Sequence, residues 1–149
     1  MSRPLALEWR RLADMTPSEV YALLRFRQEI FVVEQGSPYP DLDGADEAAW
    51  HLILRCEEEL VGSLRLIIEV EAVRIGRVCV ALSQRRRGLG RMLMDAALRF
   101  IEERYRGRDI VLSAQVAQAG FYRASGFAVV SEPYDDYGVA HLAMRRPAG

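Results

Sequence analysis

The order of elements legible in the sequence predicts a mixed α/β fold in a single domain. Three observations carry this expectation. A chain of 149 residues has the size of one domain with a core of its own. Segments of strand character and segments of helical periodicity alternate along it as β-α-β-β-β-α-β-α-β-β. Between Val78 and Ala114 a strand, an amphipathic helix and a second strand succeed one another, the order that a crossover turns into a parallel strand pair.

Residues 5–12 alternate loosely and read as the first strand. Thr16-Pro17-Ser18-Glu19 opens a helix: Thr16 can cap it, Pro17 suits the first turn, and Glu19 completes a capping box. Val20, Leu23, Leu24, Ile30 and Phe31 continue as one apolar stripe. The stretch VVEQGSPYPDLDGAD, Val32 to Asp46, carries two prolines and two glycines and reads as a long loop of the kind that often holds function. His51 to Cys56 is a strand, and Glu57 to Glu59 a polar turn. Leu60 to Val70 is another strand, with Gly62 at a bulge, and Val73 to Leu82 follows as the next. Gly88 to Tyr105 is the best-defined helix: Leu89, Leu93, Ala97, Phe100 and Ile101 share one face, and Asp95 and Arg99 can pair on another. Ile110 to Ala114 is a short buried strand. Val116 to Ser125 is a short helix stopped by Gly126, and Phe127 to Ser131 and Val139 to Met144 are closing strands.

Composition narrows the function classes. A formal net charge of −1 gives no global attraction to nucleic acid or to a membrane surface. No apolar run approaches the length of a membrane span, and the N-terminal stretch has no apolar leader segment, so a cytoplasmic protein is expected. Cys56 and Cys79 lie far apart in apolar runs, so they read as reduced packing residues; neither a disulfide nor a metal site is expected. Charge is concentrated locally. Arg85, Arg86, Arg87 and Arg91 form a cationic turn, while the segment Glu34 to Glu47 is acidic, with Asp41, Asp43 and Asp46.

The turn is informative. A helix N-terminus offers free N–H groups and the positive end of its dipole, and it binds phosphates well. Gly88 and Gly90 would let an anion approach the backbone, and the arginines would add forked donors. Neither a P-loop nor a dinucleotide fingerprint fits: no lysine succeeds the glycines as the first requires, and no third glycine as the second does. On these residues alone, a phosphorylated ligand and a merely solvated surface turn both remain open.

Arg85-Arg86-Arg87-Gly88-Leu89-Gly90 resembles the Q/R-x-x-G-x-G/A signature of the GNAT superfamily of acyl-CoA-dependent N-acyltransferases. Phe121-Tyr122-Arg123-Ala124-Ser125-Gly126-Phe127 resembles the family's Tyr-x-x-x-Gly-Phe element, at the family's usual interval. A narrower resemblance, to the ElaA-like branch, lies in Phe31-Val32-Val33-Glu34-Gln35, Pro38-Tyr39, Asp41, Asp43-Gly44, His51-Leu52, Gly76-Arg77-Val78, Ala114-Gln115, and the pairing of Asp135-Asp136 with His141.

That resemblance implies a mostly antiparallel mixed sheet with a splayed parallel pair forming an acetyl-CoA cleft between Val78-Cys79-Val80 and Leu112-Ser113-Ala114. It implies that Val78 and Val80 pair with the pantetheine, that Arg85, Arg86, Arg87, Gly88, Leu89, Gly90 and Arg91 hold the pyrophosphate, and that Cys79, Gln115 and Phe121 complete the cofactor site. Tyr122 would be the general acid to the leaving thiolate. No carboxylate occurs in Arg77-Val78-Cys79-Val80, so the base would be Glu34, His51 or His141, with Asp43 a further candidate. Glu34, Gln35, Asp43, His51 and Arg77 would contact the acceptor, and the acidic loop would recruit a cationic amine. The implied reaction is acetyl transfer from acetyl-CoA, with no metal, to an amine-bearing small molecule or peptide. An amine attacks directly, and Cys79 is not expected to carry an acyl group. A homodimer is compatible with the superfamily's habits. The alternative reading is an acyl-CoA-binding sensor with little or no catalysis.

Overall fold

The computed structural model describes residues 3–149. Its elements are β1 (Leu5–Arg11), α1 (Pro17–Gln28), β2 (Trp50–Cys56), β3 (Glu59–Ile68), β4 (Ala72–Val80), α2 (Leu89–Arg104), β5 (Asp109–Gln115), α3 (Ala119–Arg123), β6 (Ala128–Val129), β7 (Tyr134–Asp136) and β8 (Val139–Arg146). The strands form one mixed sheet in the order β1-β2-β3-β4-β5-β8-β6, with β7 also pairing with β8. Among the described residues only β4 and β5 run parallel, joined by the crossover helix α2; every other pairing is antiparallel. No helix among the described residues is long and apolar enough to cross a membrane.

The expected fold class stands, and the reasons are local. The capping box of α1 forms as read: Glu19 N donates to Thr16 Oγ1 at 3.2 Å and Thr16 N donates to Glu19 Oε1 at 2.9 Å. The apolar face of α2, Leu89, Leu93, Ala97, Phe100 and Ile101, is buried against Leu64 and Leu66 of β3, Val73 and Ile75 of β4, and Leu112 and Ala114 of β5. Side chains alternate across a sheet, so Arg65, Gly76, Ser113, Gln115 and His141 stand on the face opposite α2.

Four expectations are corrected. Helical backbone does not stop at Phe31 but continues as a π-helical segment, Glu29–Glu34, so the loop begins later than expected. The segment 116–125 is a 3-10 turn, Val116–Gln118, leading into the short α3. The closing region holds three strands rather than two, because Tyr134–Asp136 pairs with β8, and β6 spans only two residues. Asp95 pairs with Arg91 at 3.0 Å, one turn before it, not with Arg99.

Two bulges shape the sheet. Leu54 faces Gly62 while Arg55 faces Leu60, so Val61 is the extra residue beside Gly62. Gly62 itself is required by packing: a Cβ there would stand 3.2 Å from Leu93 Cδ1 and 3.3 Å from Leu54 Cδ2. In β4, Ser63 faces Cys79 and Arg65 faces Gly76, which leaves one extra residue at Arg77–Val78. Arg77 takes the left-handed conformation there, φ 53°. The β4–β5 ladder covers only Ala72–Arg74 against Asp109–Val111. Past that point the two strands part.

Candidate active site

A cavity of about 670 Å³ fills the gap between the parted strands. β4 contributes Gly76 to Val80, β5 contributes Leu112 to Gln115, and both lack a strand partner along the facing edges. The turn before α2, the helix α3, the π-helical segment and the β7–β8 hairpin close the remaining sides. The split that the resemblance implied is therefore present, and it arises from the bulge at Arg77 and the short parallel ladder.

At one end lies the arginine turn. Gly88 caps α2 in the left-handed region, φ 75°, with open space where a Cβ would be. Met92 N is the first amide of the helix to find a main-chain acceptor, Gly88 O at 3.1 Å. The N–H groups of Leu89, Gly90 and Arg91 have none among the described residues. The arginines divide. Arg86, φ 66°, lines the cavity and has no hydrogen-bond or ion-pair partner among the described residues. Arg85 is committed: its Nη atoms donate to both oxygens of Glu34 at 2.5 and 2.8 Å, and its Nε donates to Val80 O at 3.1 Å. Arg87 turns to Gln84 Oε1 and does not line the cavity, contrary to expectation. Gly90, which lines the cavity, also has a packing task. The ring of Phe121 occupies the space its Cβ would take, at 3.2 Å, so Gly90 seats α3 against α2.

In the middle of the cleft stand Tyr122 and Cys79. Burial pushes the Tyr122 phenol up to about 12, with the neighbouring Cys79 adding to the effect. Burial likewise pushes the Cys79 thiol up to about 12. Cys79 points toward Ser63 O, 3.8 Å away. A thiol held protonated is a poor nucleophile, which agrees with the expectation that Cys79 carries no acyl group.

The acidic loop does not do what its composition suggested. Asp41, Asp43 and Asp46 are matched by Arg27, Arg65 and Arg77. Arg27, 1% exposed, donates to Asp41 Oδ2 at 3.1 Å and to Asp46 Oδ1 at 2.7 Å. Arg65 grips Asp43 with two bonds of 2.9 and 2.5 Å and reaches Asp46 Oδ1 at 3.0 Å. Arg77 Nη1 donates to Tyr39 Oη at 2.8 Å, and Arg77 Nη2 donates to Asp43 Oδ2 at 3.2 Å. Arg77 Nε stands 2.8 Å from Asp41 Oδ1 without the alignment of a hydrogen bond, so that contact is electrostatic. Three guanidinium groups thus neutralise three carboxylates, and the network staples the loop to α1, β3 and β4. Arg27 and Arg65 are residues of this network that the sequence does not single out, since it gives the acids and bases but not their pairing across 14 to 36 positions.

The base candidates sort accordingly. Hydrogen bonds from Arg85 hold the Glu34 carboxylate below its ordinary range. Hydrogen bonds from Arg65 hold Asp43 well below its own, and Asp43 does not line the cavity. His51 is corrected as both base and acceptor contact: it is 1% exposed, does not line the cavity, and its Nε2 faces Asp46 O at 2.9 Å. His141 does line the cavity. Its Nδ1 donates to Val139 O at 2.8 Å, and its Nε2 lies 4.0 Å from Asp136 Oδ2. Gln35 and Gln115 meet across the cleft at 3.3 Å, tying the end of the π-helical segment to β5.

Comparison with known proteins places this geometry. A family model described as an acetyltransferase (GNAT) domain matches residues 13–147. The protein ElaA of Escherichia coli (strain K12) is 35% identical over 147 residues, covering 94% of this chain and 96% of that one. A crystal structure of Escherichia coli ElaA superposes with a TM-score of 0.90 at 32% identity, over 96% of this chain and 99% of that one. An acyl-CoA N-acyltransferase from Pseudomonas aeruginosa superposes with a TM-score of 0.90 at 37% identity, over 96% of this chain and 99% of its own. A GNAT family acetyltransferase from Elizabethkingia anophelis, solved with acetyl-CoA bound, shares the fold at a TM-score of 0.67 and 14% identity, over 96% of this chain and 97% of that one.

Proposed function

Since the chain belongs to the GNAT acetyltransferase family, we propose that it transfers an acetyl group from acetyl-CoA to a primary amine by direct attack on the thioester. The observation that carries this reading is the parting of β4 and β5 into a cleft that ends at the unpartnered N–H groups of Leu89, Gly90 and Arg91. Two open strand edges suit an extended ligand carrying amides, which would add to β4 at Val78 and Val80 as a strand does. The helix N-terminus and Arg86 suit its phosphates. No ion is needed for any of these contacts.

The chemistry asks for three things. Tyr122 keeps its proton through neutral pH, because burial raises it, and so can donate that proton to a departing thiolate. His141 Nε2 takes a proton from the acceptor ammonium, which frees the nitrogen lone pair. The C–N bond then forms as the C–S bond breaks. A second proton leaves the new amide nitrogen to solvent, His141 returns its proton to solvent, and Tyr122 is reprotonated from solvent, so the cycle releases one proton net. A second reading, an acyl-CoA sensor, draws on one observation: β4 presents no carboxylate to the cleft. Thiol release from acetyl-CoA with a panel of primary amines separates the two. Tyr122→Phe is expected to lower kcat by about a hundredfold or more and to leave acetyl-CoA affinity unchanged. No turnover with any amine supports the sensor, whereas turnover indifferent to Tyr122 removes that residue as the acid.

A further inference from the structure

We infer that Asp136 determines acceptor specificity: with His141 it holds a primary ammonium group, so that the acceptors are amines that arrive charged. The step after capture rests on the acetyl-transfer reading, whereas the binding step stands by itself.

The acids around the cleft point to Asp136 by what each is doing. Glu34 is taken by Arg85, and Asp41, Asp43 and Asp46 are taken by Arg27, Arg65 and Arg77. Asp136 lines the cavity, about a third exposed, and no arginine among the described residues touches it. The one basic side chain within 4.0 Å of it among those residues is His141. Asp136 faces Val139 and Tyr134 faces His141 in the β7–β8 ladder, so Asp136 and His141 are diagonal neighbours on one face. That is the face opposite α2, where the gap between β4 and β5 opens.

The hydrogen-bonding of His141 fixes what fits between them. Val139 O can only accept, so Nδ1 carries a hydrogen, and in the neutral ring that tautomer leaves a lone pair at Nε2. Two acceptors, Nε2 and a carboxylate oxygen, then stand 4.0 Å apart. A group with two N–H bonds placed about 2.8 Å from each satisfies both at once. A primary ammonium has those donors and a charge that offsets the carboxylate. A hydroxyl has only one donor and no charge. A metal is a poor occupant, because no third His, Cys, Asp or Glu joins the pair among the described residues. The surroundings suit a cation. The Tyr134 ring stacks on His141 at 6.1 Å, while the nearby cations Arg65 and Arg77 are held by the loop carboxylates. Ser113 and Gln115 of β5 face the hairpin without adding charge. Once the ammonium N–H bond breaks, the proton sits on Nε2 and Asp136 faces the resulting imidazolium.

Benzylamine, charged at pH 7, and aniline, neutral at pH 7, test this as a matched pair. Each is titrated calorimetrically onto CoA-saturated protein, where no transfer can occur, and each is then assayed with acetyl-CoA. Asp136→Asn keeps the shape and removes the charge. It is expected to weaken benzylamine binding about tenfold, raise its KM, and leave aniline and acetyl-CoA unaffected. Asp136→Glu is expected to recover part of the loss. Equal benzylamine binding to the wild type and Asp136→Asn overturns the inference, as does an equal loss for aniline or no benzylamine binding to the wild type. Asp136-dependent binding without acetyl transfer leaves the ammonium site standing and removes the acetyl-transfer reading instead.

Discussion

Asp46 shows how a single residue can mislead when read without its neighbours. In the sequence it is one more acid in a loop suited to attracting amines. In the fold it lies between two buried guanidinium groups, Arg27 and Arg65. Burial alone would raise its pKa, yet the bonds and charges of Arg27 and Arg65 hold it below the ordinary carboxylate value. Asp43 is lowered as well, chiefly by the Arg65 fork. Both groups bind fewer protons folded than unfolded. The stability they give is therefore complete above the unfolded carboxylate range, near pH 4, and drains away as pH falls through the lowered folded values. Thermal melts are expected to show the wild type losing stability below about pH 4. Asp46→Asn leaves Arg27 half-paired in the interior and is expected to cost about 3–5 kcal/mol at pH 7. The variant is also expected to show a shallower acid limb. A melt of Asp46→Asn that matches the wild type at pH 7 contradicts this account of the network. The motif residues, by contrast, are legible: Tyr122, Arg86, Gly88 and Leu89 all line the cleft, because a turn, a helix start and a short helix are set by neighbours in sequence.

At the scale of elements, α2 links the core to the end of the cleft proposed to hold phosphates. Leu93 packs on Gly62 of β3 with no room to spare, since a Cβ at Gly62 would lie 3.2 Å from Leu93 Cδ1 and 3.4 Å from Cys79 O. Gly62→Ala is expected to lower stability by about 1–3 kcal/mol through overpacking. It is also expected to weaken acetyl-CoA binding, because the helix that must shift carries the free amides of Leu89 and Gly90 at its start. Melting and calorimetry on one preparation check both effects, and a loss of stability with full affinity shows that the helix start is held independently. Helices are legible where a face repeats over several turns, as in α2, or where a cap is written in side chains, as at Thr16. The π-helical segment is not, since its side chains keep a helical stripe while the backbone widens by one residue. β7, three residues long, is too brief for alternation to register.

The whole molecule is a mixed sheet opened along one seam. The parallel pairing of β4 with β5 can be read from strand, helix and strand in sequence, but their separation after three residues cannot. It depends on the bulge at Arg77, a non-glycine residue in a left-handed conformation held by Tyr39, Asp41 and Asp43 from a loop more than 30 positions away. The long loop is therefore functional in a sense its composition does not convey. It braces the seam rather than attracting the amine. Arg77, expected as an acceptor contact, has the visible task of carrying this brace at the edge of the cleft.

The central claim, a phosphate-holding helix start at the end of an acyl-CoA cleft, is tested most directly by calorimetric titration of acetyl-CoA onto the wild type and Arg86→Glu. Arg86 is preferable to Gly90 for this purpose, because any side chain at Gly90 strikes Phe121 before it meets a ligand. Arg86 has no partner to lose among the described residues, so the variant is expected to melt as the wild type does. Saturable binding by the wild type, weakened about tenfold or more in Arg86→Glu, is the expected result. Folded wild-type protein that takes up no acetyl-CoA contradicts the account.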